Sequence, residues 1–537
     1  MRTITGFRRL LAAAVVATAL SGAASVAART AVDVTISGSG WGHGVGLSQY
    51  GAKAMGLDGA THQEIVYRYF PETNLALVGA ASPGTFLDTD PTPLWVGLLQ
   101  NVNSVSFEVS EGGAWLCFDR NGGCVTVAQA GETWRFVPDG TGNCLYLRVL
   151  ASGSTSHLRH LGSCEASVRP LSPTTTTKIP VKARSYRYGV LRFRPGPRSQ
   201  GIHAVYEIGI EDYMKGLSAV PESWPPAAIR AQAVVSRSYA LRTALGQGGE
   251  EDLKARGGSD CYCNLRDDAS DQVFRGWSGE TSHPNWVAAV DSTSRLVLVH
   301  AGEIALGSYS SSSGGMTESY ADVFGGNGYP YLVSVDDSPA FSQLAENPHA
   351  TWAAGYDQAT LAMVFDFSWL SDIKVVDRNE SGSARTIRLV GIVDGSRTEK
   401  TMTGVELRTA LSLRSTTFDI FVSPRFTDVA VSHVFAGEVL GLHEMGITQG
   451  CTATAFCPGR TVTRGEMAAF LVRALGLTSP SDDPFTDDDN NFFESDIEAL
   501  HASGITEGCT ATAFCPGRAV TRGEMAAFLV RALDGLS

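Results

Sequence analysis

The sequence predicts an α+β protein: a mixed, β-rich domain with one long helix and a disulfide-bearing all-β insertion, followed by α-helical repeats at the C-terminus. Three observations support this fold class. Alternating apolar strands dominate residues 93–170, an uninterrupted helical pattern opens at Pro225-Pro226, and two nearly identical units close the chain. With 537 residues, the chain is long enough for several domains with separate cores.

Composition shifts along the chain indicate how it is divided. Residues 1–28 place Arg2, Arg8 and Arg9 before an apolar stretch and small residues, which is the layout of a signal peptide. No later stretch is long and apolar enough to span a membrane, so we expect an exported protein with no membrane span after signal cleavage. The remaining segments are a glycine-rich block at 33–92, an all-β insertion at 93–170, a main domain at 180–421 and two repeats at 424–537.

The charge balance excludes one class of partner. Acidic residues outnumber basic ones, 55 to 42, which gives a formal net charge of −13. Nucleic-acid binding needs clustered Lys and Arg, and no basic run appears beyond the first few residues. We therefore expect no nucleic-acid partner.

The ten cysteines agree with export. Cys261 and Cys263 are separated by one residue, so a bridge between them would be strained. Zinc is the alternative, but no second Cys/His pair with ligand spacing lies nearby, and we favour the disulfide. No metal and no cofactor are expected. The other eight cysteines form local pairs that we interpret as disulfides: Cys117 with Cys124, Cys144 with Cys164, Cys451 with Cys457, and Cys509 with Cys515.

The insertion at 93–170 reads as strands separated by Gly, Asp and Asn turns, with strands predicted at 95–99, 105–109 and 145–149. It carries no polar constellation typical of chemistry. The Pro/Ser/Thr tract 171–177 that follows is interpreted as a linker.

Residues 37–56, which we call the Gly-His-Gly segment, alternate glycine with other residues. In an extended strand this would leave one face as bare backbone, open to close approach by another chain. Trp41 and His43 would lie on the opposite face. His43 is a candidate functional residue, although a lone histidine is more often structural. Thr61 and Glu64 then form a capping box for a helix through Phe70.

Two further segments carry candidate chemistry. In residues 211–245, the chain turns at Gly216, Glu222 precedes the double proline, and the long helix follows. Glu222 could be a catalytic carboxylate or a solvated side chain favoured by the helix dipole. Residues 307–318, the Ser-rich loop, place many hydroxyls on a tight turn, which suits recognition of sugar hydroxyls but is also common in ordinary turns.

The C-terminal repeats are 451–475 and 509–533, which differ only at Thr461 and Ala519. Each unit predicts helix, disulfide-closed loop, helix, and the second helix opens with a capping box, Thr463 with Glu466 and Thr521 with Glu524.

These units resemble S-layer homology repeats, on the basis of the Phe-Thr-Asp opening, the Gly-Ile-Thr turn and the Thr-Arg-Gly-Glu helix start. The resemblance implies docking onto an anionic secondary cell-wall polymer, with Arg464 and Arg522 meeting its acidic groups. Two repeats are visible where three commonly form a unit.

Residues 33–421 resemble the stage II sporulation protein D and amidase enhancer family, whose members bind and cleave peptidoglycan glycan strands. The three segments above carry the resemblance, together with residues 271–276, a predicted strand at 289–293 and the ending at 404–416. The Gly-His-Gly block usually closes this domain, whereas here it comes first, an arrangement that is tolerable if the domain ends lie close together.

The family's lytic transglycosylases place a catalytic glutamate just before Val-Pro in the turn after the Tyr-x-x-Gly sequence. Here that position is Ala219, followed by Val220-Pro221. Cleavage needs a general acid, worth about 10²–10⁴-fold in rate, and alanine cannot supply it. Glu222 is the nearest substitute, and Glu318 is more remote.

The resemblance implies an exported cell-wall protein that binds peptidoglycan glycan strands. Two hypotheses remain open: a lytic transglycosylase using Glu222, helped by His43, and an inactive glycan-binding module that recruits or enhances a wall amidase. A purely structural S-layer protein would not need the motifs of the first 420 residues. The implied sugar-binding residues are Trp41, Gln49, Tyr50, Trp224, Tyr309, Ser311, Ser313 and Thr317.

Overall fold

The computed structural model describes residues 34–521, apart from 122, 197–200, 256–260, 395, 423–425, 430–438, 440–441, 444–446, 453 and 479–482, and beyond 521 it describes Met525 and Phe528. The predicted signal peptide and Arg522 lie outside the described residues. The fold is α+β, as the sequence predicted.

Two antiparallel sheets pack face to face and form the largest core. In spatial order, the seven strands of the first are Leu265–Arg266, Leu94–Val102, Ile202–Ile208, Val190–Pro195, Ala166–Pro170, Gly113–Phe118 and Gly123–Gln129, and only the first pairing is parallel. The six strands of the second are Thr155–Ser163, Asn143–Val149, Glu132–Pro138, Val105–Glu111, Thr176–Ile179 and Arg184–Tyr186. Phe136 stacks on Phe193 between the sheets, with ring centroids 4.3 Å apart.

The predicted strands at 95–99, 105–109 and 145–149 are confirmed. The insertion nevertheless shares its sheet with the main domain, because Leu94–Val102 pairs with Ile202–Ile208. The tract predicted as a linker is likewise built into the fold, since Thr175, Thr176 and Thr177 are buried and the next strand begins at Thr176. Apolar faces on both segments have to be covered, which draws them into one core.

The first described strand, Val34–Gly38, lies in the middle of a three-stranded sheet. Its antiparallel neighbours are Trp352–Tyr356 and Phe418–Val422. The start of the domain therefore pairs with its end, which explains how the Gly-His-Gly block can come first in the chain.

Smaller sheets and helices complete the domain. The remaining strands are Leu47–Ser48 with Tyr309–Ser310, then Asn74–Leu77, Leu296–His300 and Glu303–Ile304, and a meander of Trp369–Arg378, Ala384–Val393 and Ser396–Thr403. The helices are Gln49–Leu57, His62–Tyr69, Val78–Ala81, Phe86–Thr89, Ile210–Lys215, Pro226–Gln247, Glu250–Ala255, Trp277–Ser282, Pro284–Ser292, Tyr320–Phe324, Gln358–Val364, Gly404–Leu411, Arg464–Leu475 and Glu494–Ala502.

Local helix signals were mostly reliable. The capping boxes of Thr61 with Glu64 and of Thr463 with Glu466 are formed, whereas the one at Thr521 and Glu524 lies partly outside the described residues. The expected strand at 289–293 is wrong, because this stretch ends the helix Pro284–Ser292. Pro284 opens that helix and the buried Trp286 and Val290 fix its inward face, so tertiary burial overrides the β-propensity of its valines.

The disulfide predictions are confirmed for every pair. The four local bridges join Cys117 with Cys124, Cys144 with Cys164, Cys451 with Cys457, and Cys509 with Cys515. Cys261 is bonded to Cys263 in a fifth disulfide, as favoured over the zinc alternative.

Among the described residues, no helix is both long and apolar enough to cross a membrane.

Candidate functional site

A cavity of about 1030 Å³ opens between the Gly-His-Gly segment, the Ser-rich loop and the C-terminal half of the long helix Pro226–Gln247. Two short stretches close its sides, one at 217–219 and one at 269–273 with Arg275. The three segments that the sequence singled out therefore meet at one place.

The Gly-His-Gly segment differs from the extended strand that its alternation suggested. Gly40, Gly42, Gly44 and Gly46 all have positive φ, from 75° to 117°, so residues 40–46 do not form an extended strand. A Cβ at Gly42 would lie 2.7 Å from Cβ of Ser310, and one at Gly46 would lie 2.2 Å from the carbonyl oxygen of Ser308. The glycines are needed because the Ser-rich loop packs directly against this backbone, so the expected close approach is present in a different conformation.

His43 lines the cavity with its ring 5.4 Å from that of Phe324. Its Nδ1 accepts a hydrogen bond of 3.0 Å from the main-chain N–H of Val45. Burial, assisted by the positive charge of Arg408, lowers the pKa of His43 to about 4, and a hydrogen bond with the main chain of Tyr309 acts in the opposite direction. The imidazole is therefore neutral near pH 7. Its hydrogen bond with the Tyr309 main chain connects the Gly-His-Gly segment to the Ser-rich loop.

Ala219 lines the cavity beside Ser218. Ser218 has φ 45°, unusual for a residue with a side chain, and strained backbone of this kind clusters at functional sites. Its buried Oγ has no hydrogen-bond partner among the described residues, and neither has that of Ser310 on the opposite wall. Both hydroxyl oxygens are almost completely shielded from the cavity.

Behind Ala219 lies a chain of buried amides. Gln49 Nε2 donates to the carbonyl oxygen of Ala219 at 3.3 Å and to Gln232 Oε1 at 3.2 Å. Gln232 in turn donates to Ser236 Oγ at 2.9 Å. Gln49, predicted to bind sugar, connects this turn to the long helix.

Glu222 does not line the cavity. Its carboxylate accepts a hydrogen bond from the main-chain N–H of Asn285, in the first turn of the helix Pro284–Ser292, and the Asn285 side chain donates to the Glu222 carbonyl oxygen at 3.1 Å. Glu318 is also absent from the lining: it is buried and accepts hydrogen bonds from Ser381, Ser383 and Thr416. Burial raises the pKa of Glu318, and those hydroxyls oppose the increase.

The hydroxyls of the Ser-rich loop divide into two groups. Ser311 and Tyr309 line the cavity. Ser313 and Thr317 are buried and bonded inside the protein, Ser313 to Asp337 at 2.5 Å and Thr317 to the carbonyl oxygen of Val333 at 3.0 Å. The second pair shapes the loop rather than the cavity wall.

Tyr239, Asp271 and Gln272 are among the cavity residues that were not predicted as site residues. Gln272 donates to the hydroxyl of Tyr309 at 3.2 Å and accepts from Tyr213. Asp271 is the one carboxylate lining the cavity among the described residues, and it already accepts hydrogen bonds from Tyr239 and from the main chain of Arg266. The stretch 271–276 had signalled family resemblance, but nothing in it indicated proximity to the Ser-rich loop.

Aromatic rings extend from the cavity mouth across the surface. Trp41 is 46% exposed and meets the ring of His349 edge-on at 4.6 Å. His349 contacts Tyr50 at 5.6 Å, and Tyr50 contacts Trp224 at 5.2 Å. Three of the predicted sugar-binding residues therefore lie in one row, joined by His349.

In the repeats, Arg464 is 3% exposed. Its Nε donates to the carbonyl oxygen of Phe514 at 2.8 Å, and its guanidinium lies over the rings of Phe514 and Phe528. This side chain, predicted to meet a wall polymer, joins the first repeat to the second.

Comparison with known proteins agrees with these two parts of the chain. The Stage II sporulation protein family matches residues 198–300, and the S-layer homology domain matches residues 425–468 and 484–526. The chain thus carries a stage II sporulation protein domain and two S-layer homology domains, and it is a cell-wall-associated protein of the cell surface.

Three curated relatives illustrate the similarity. The Amidase enhancer of Bacillus subtilis is 26% identical over 42% of this chain and 31% of its own length. The Endoglucanase of Bacillus sp. KSM-635 is 35% identical over 21% of this chain and 12% of its own, and the Surface-layer 125 kDa protein of Lysinibacillus sphaericus is 36% identical over 18% and 8%. The chain therefore covers less than two fifths of the length of the relatives it matches.

Proposed function

We propose that the cavity binds peptidoglycan glycan strands without cleaving them, and that the protein acts as a wall-attached glycan-binding module. The observation that carries this is Ala219 in the cavity wall, at the position where the resemblance implies the general acid. Glycosidic cleavage needs a protonated group within hydrogen-bond reach of the leaving oxygen. A methyl group cannot donate that proton.

The other carboxylates support the same proposal. Glu222 is engaged at a helix start outside the cavity, Glu318 is bonded to three hydroxyls, and Asp271 accepts two hydrogen bonds. His43 has a pKa of about 4 and is therefore uncharged at neutral pH, so it has no proton to spare as a general acid.

Features suited to binding are retained. The partly exposed Ser311 lines the cavity and its hydroxyl can bond to sugar hydroxyls, and the exposed face of Trp41 can stack on a sugar ring. A glycan strand crossing the cavity would continue over the aromatic row. The row of aromatic rings beyond the cavity fits a polymer ligand better than a small molecule.

Restoring the missing acid tests the proposal. Purified protein and its Ala219→Glu variant are incubated with glycan strands, with and without stem peptides, and the products are analysed by mass spectrometry for 1,6-anhydromuramic ends. We expect the natural protein to bind the strands and release no such ends, and Ala219→Glu to release them. Ala269→Glu is the matched control, since Ala269 lines the same cavity elsewhere. Anhydro ends from the natural protein would establish the transglycosylase instead.

The partners follow from the two domains. We propose that the S-layer homology domains dock on a secondary cell-wall polymer, and that the glycan-binding domain stimulates a wall amidase, as the name of the Bacillus relative suggests. Deleting 424–537 should release the protein from isolated walls while leaving strand binding intact.

Addition of the natural protein should accelerate amidase digestion of those walls, and an unchanged rate would contradict the amidase role.

A further inference from the structure

The second S-layer homology domain holds a group of carboxylates unrelated to the glycan cavity. Single oxygens of Asp483, Asp488 and Asp489 lie within 4.8 Å of one another, and so do those of Asp483, Glu494 and Glu498. Asp483 belongs to both sets, so two groups of three carboxylates meet at Asp483, between the loop that follows it and the first turns of the helix Glu494–Ala502.

Asp488 distinguishes this group from an ordinary acidic surface. Its exposed fraction is 0%, and neither carboxylate oxygen has a hydrogen-bond partner among the described residues. A buried carboxylate without partners costs several kcal/mol relative to water, and folded proteins compensate for such groups with a counter-charge or a metal ion. Something must therefore neutralise Asp488.

The first repeat provides an internal comparison. Its Phe-Thr-Asp opening is followed by Val429, which is 5% exposed and packs with Phe426 and Val439. In the second repeat the residue after Phe-Thr-Asp is Asp488, equally buried. The fold accepts valine at this place, so the carboxylate is not required by the architecture of the repeat.

The neighbouring carboxylates make a charge on Asp488 more costly, because single oxygens of Asp483 and Asp489 lie within 4.8 Å of an Asp488 oxygen.

We propose that Asp483, Asp488 and Asp489, completed by Glu494 and Glu498, form a binding site for a calcium ion. All the ligands are carboxylate oxygens, which hard cations prefer and which disfavour zinc or copper. Calcium accepts irregular sets of six to eight oxygens, whereas magnesium demands a near-octahedral arrangement that a loop joined to a helix start supplies poorly. The sequence predicts no metal, because no second Cys/His pair with zinc-ligand spacing lies near Cys261 and Cys263.

The ion would link the loop that begins the second repeat to its first helix. Calcium sites of extracellular modules have dissociation constants of roughly 10⁻⁴–10⁻³ M. Folding of the second repeat, and its contact with Arg464 of the first, would then depend on calcium outside the cell.

The test uses the full mature chain, stripped with a chelator and titrated with CaCl₂ by isothermal calorimetry, with MgCl₂ in a parallel titration. We expect one calcium site with a dissociation constant at or below about 1 mM, weaker binding of magnesium, and a melting temperature that rises with calcium. Asp488→Val should raise the calcium dissociation constant more than about tenfold and remove the calcium-dependent rise in melting temperature.

Asp488→Val copies the first repeat and should fold well without calcium. Asp483→Asn provides a second variant that leaves the core untouched, and we expect it to weaken calcium binding too. Glu399→Gln, an exposed carboxylate in the strand Ser396–Thr403, is the matched control and should bind calcium normally. No calcium binding by the natural protein at several millimolar, or unchanged binding by Asp488→Val, would overturn the proposal.

Discussion

The main-chain N–H of Asn285 donates a hydrogen bond to Oε1 of Glu222. The nearest substitute for the missing catalytic acid is therefore an acceptor at the start of the helix Pro284–Ser292, where a negative charge also meets the positive end of the helix dipole. Glu222 therefore stabilises the fold. It lies outside the cavity in which we propose that the glycan binds.

Replacing Glu222 should affect stability and leave glycan binding unchanged. We expect Glu222→Ala to lower the free energy of unfolding by about 1 kcal/mol, a typical cost for the loss of a helix cap, measured by denaturant titration. Glu222→Gln retains an acceptor oxygen and should lose less. Loss of strand binding or of strand cleavage in Glu222→Gln would instead assign Glu222 to the sugar.

His43 should make the protein less stable in acid. Its folded pKa of about 4 lies below the ordinary 6.5, so the unfolded chain takes up the proton first as the pH falls. Stability attributable to His43 is complete above pH 6.5 and falls progressively toward pH 4, by up to about 3 kcal/mol at 1.36 kcal/mol per pKa unit. Unfolding titrations at pH 7, 5 and 4 measure it. His43→Gln should have a flatter profile than the natural protein over this range, and parallel profiles would refute the assignment.

Trp41 should contribute to glycan affinity without supporting the fold. Its ring is 46% exposed at the cavity mouth and lies 5.0 Å below the guanidinium of Arg414. We expect Trp41→Ala to weaken strand binding by about tenfold or more, the usual effect of removing an aromatic anchor. Trp115, 41% exposed in the strand Gly113–Phe118, is the matched control. Equal losses for both variants in a co-sedimentation assay would contradict a specific role for Trp41.

Arg464 should stabilise the pair of repeats. Truncation to alanine removes a buried hydrogen bond to Phe514 and two cation–π contacts, and we expect a loss of about 2 kcal/mol from the unfolding of the C-terminal domain. The side chain of Arg460 is 50% exposed and pairs with Glu466, so its truncation should lower the free energy of unfolding by less than about 0.5 kcal/mol. If Arg464→Ala reduced wall retention with unchanged stability, the residue would contact the polymer directly.

Local patterns predicted the local structure well. Capping boxes, the double proline before the long helix and period-two strands depend on neighbours in the chain, and each produced the expected element. The strand predicted at 289–293 is a helix end instead, because the preceding proline and burial against the long helix outweigh the β-propensity of Val290.

The three segments of the predicted site lie around one cavity, whereas several of the predicted side chains do not line it. Trp41, His43, Ala219, Tyr309 and Ser311 meet at the cavity as the motifs suggested. Gln49, Ser313 and Thr317 are occupied inside the protein, and nothing in their sequence context distinguishes an inward hydroxyl or amide from an outward one.

The sequence by itself determined the disulfide pairs, the two repeats and the alanine at position 219, because each is a matter of spacing or identity along the chain. Only the tertiary structure decided that Val34–Gly38 pairs with Phe418–Val422, that Glu222 caps a helix, and that Asp488 is buried where Val429 lies in the first repeat. Those outcomes depend on which distant segments exclude water from a side chain, and burial of that kind is a property of the assembled fold.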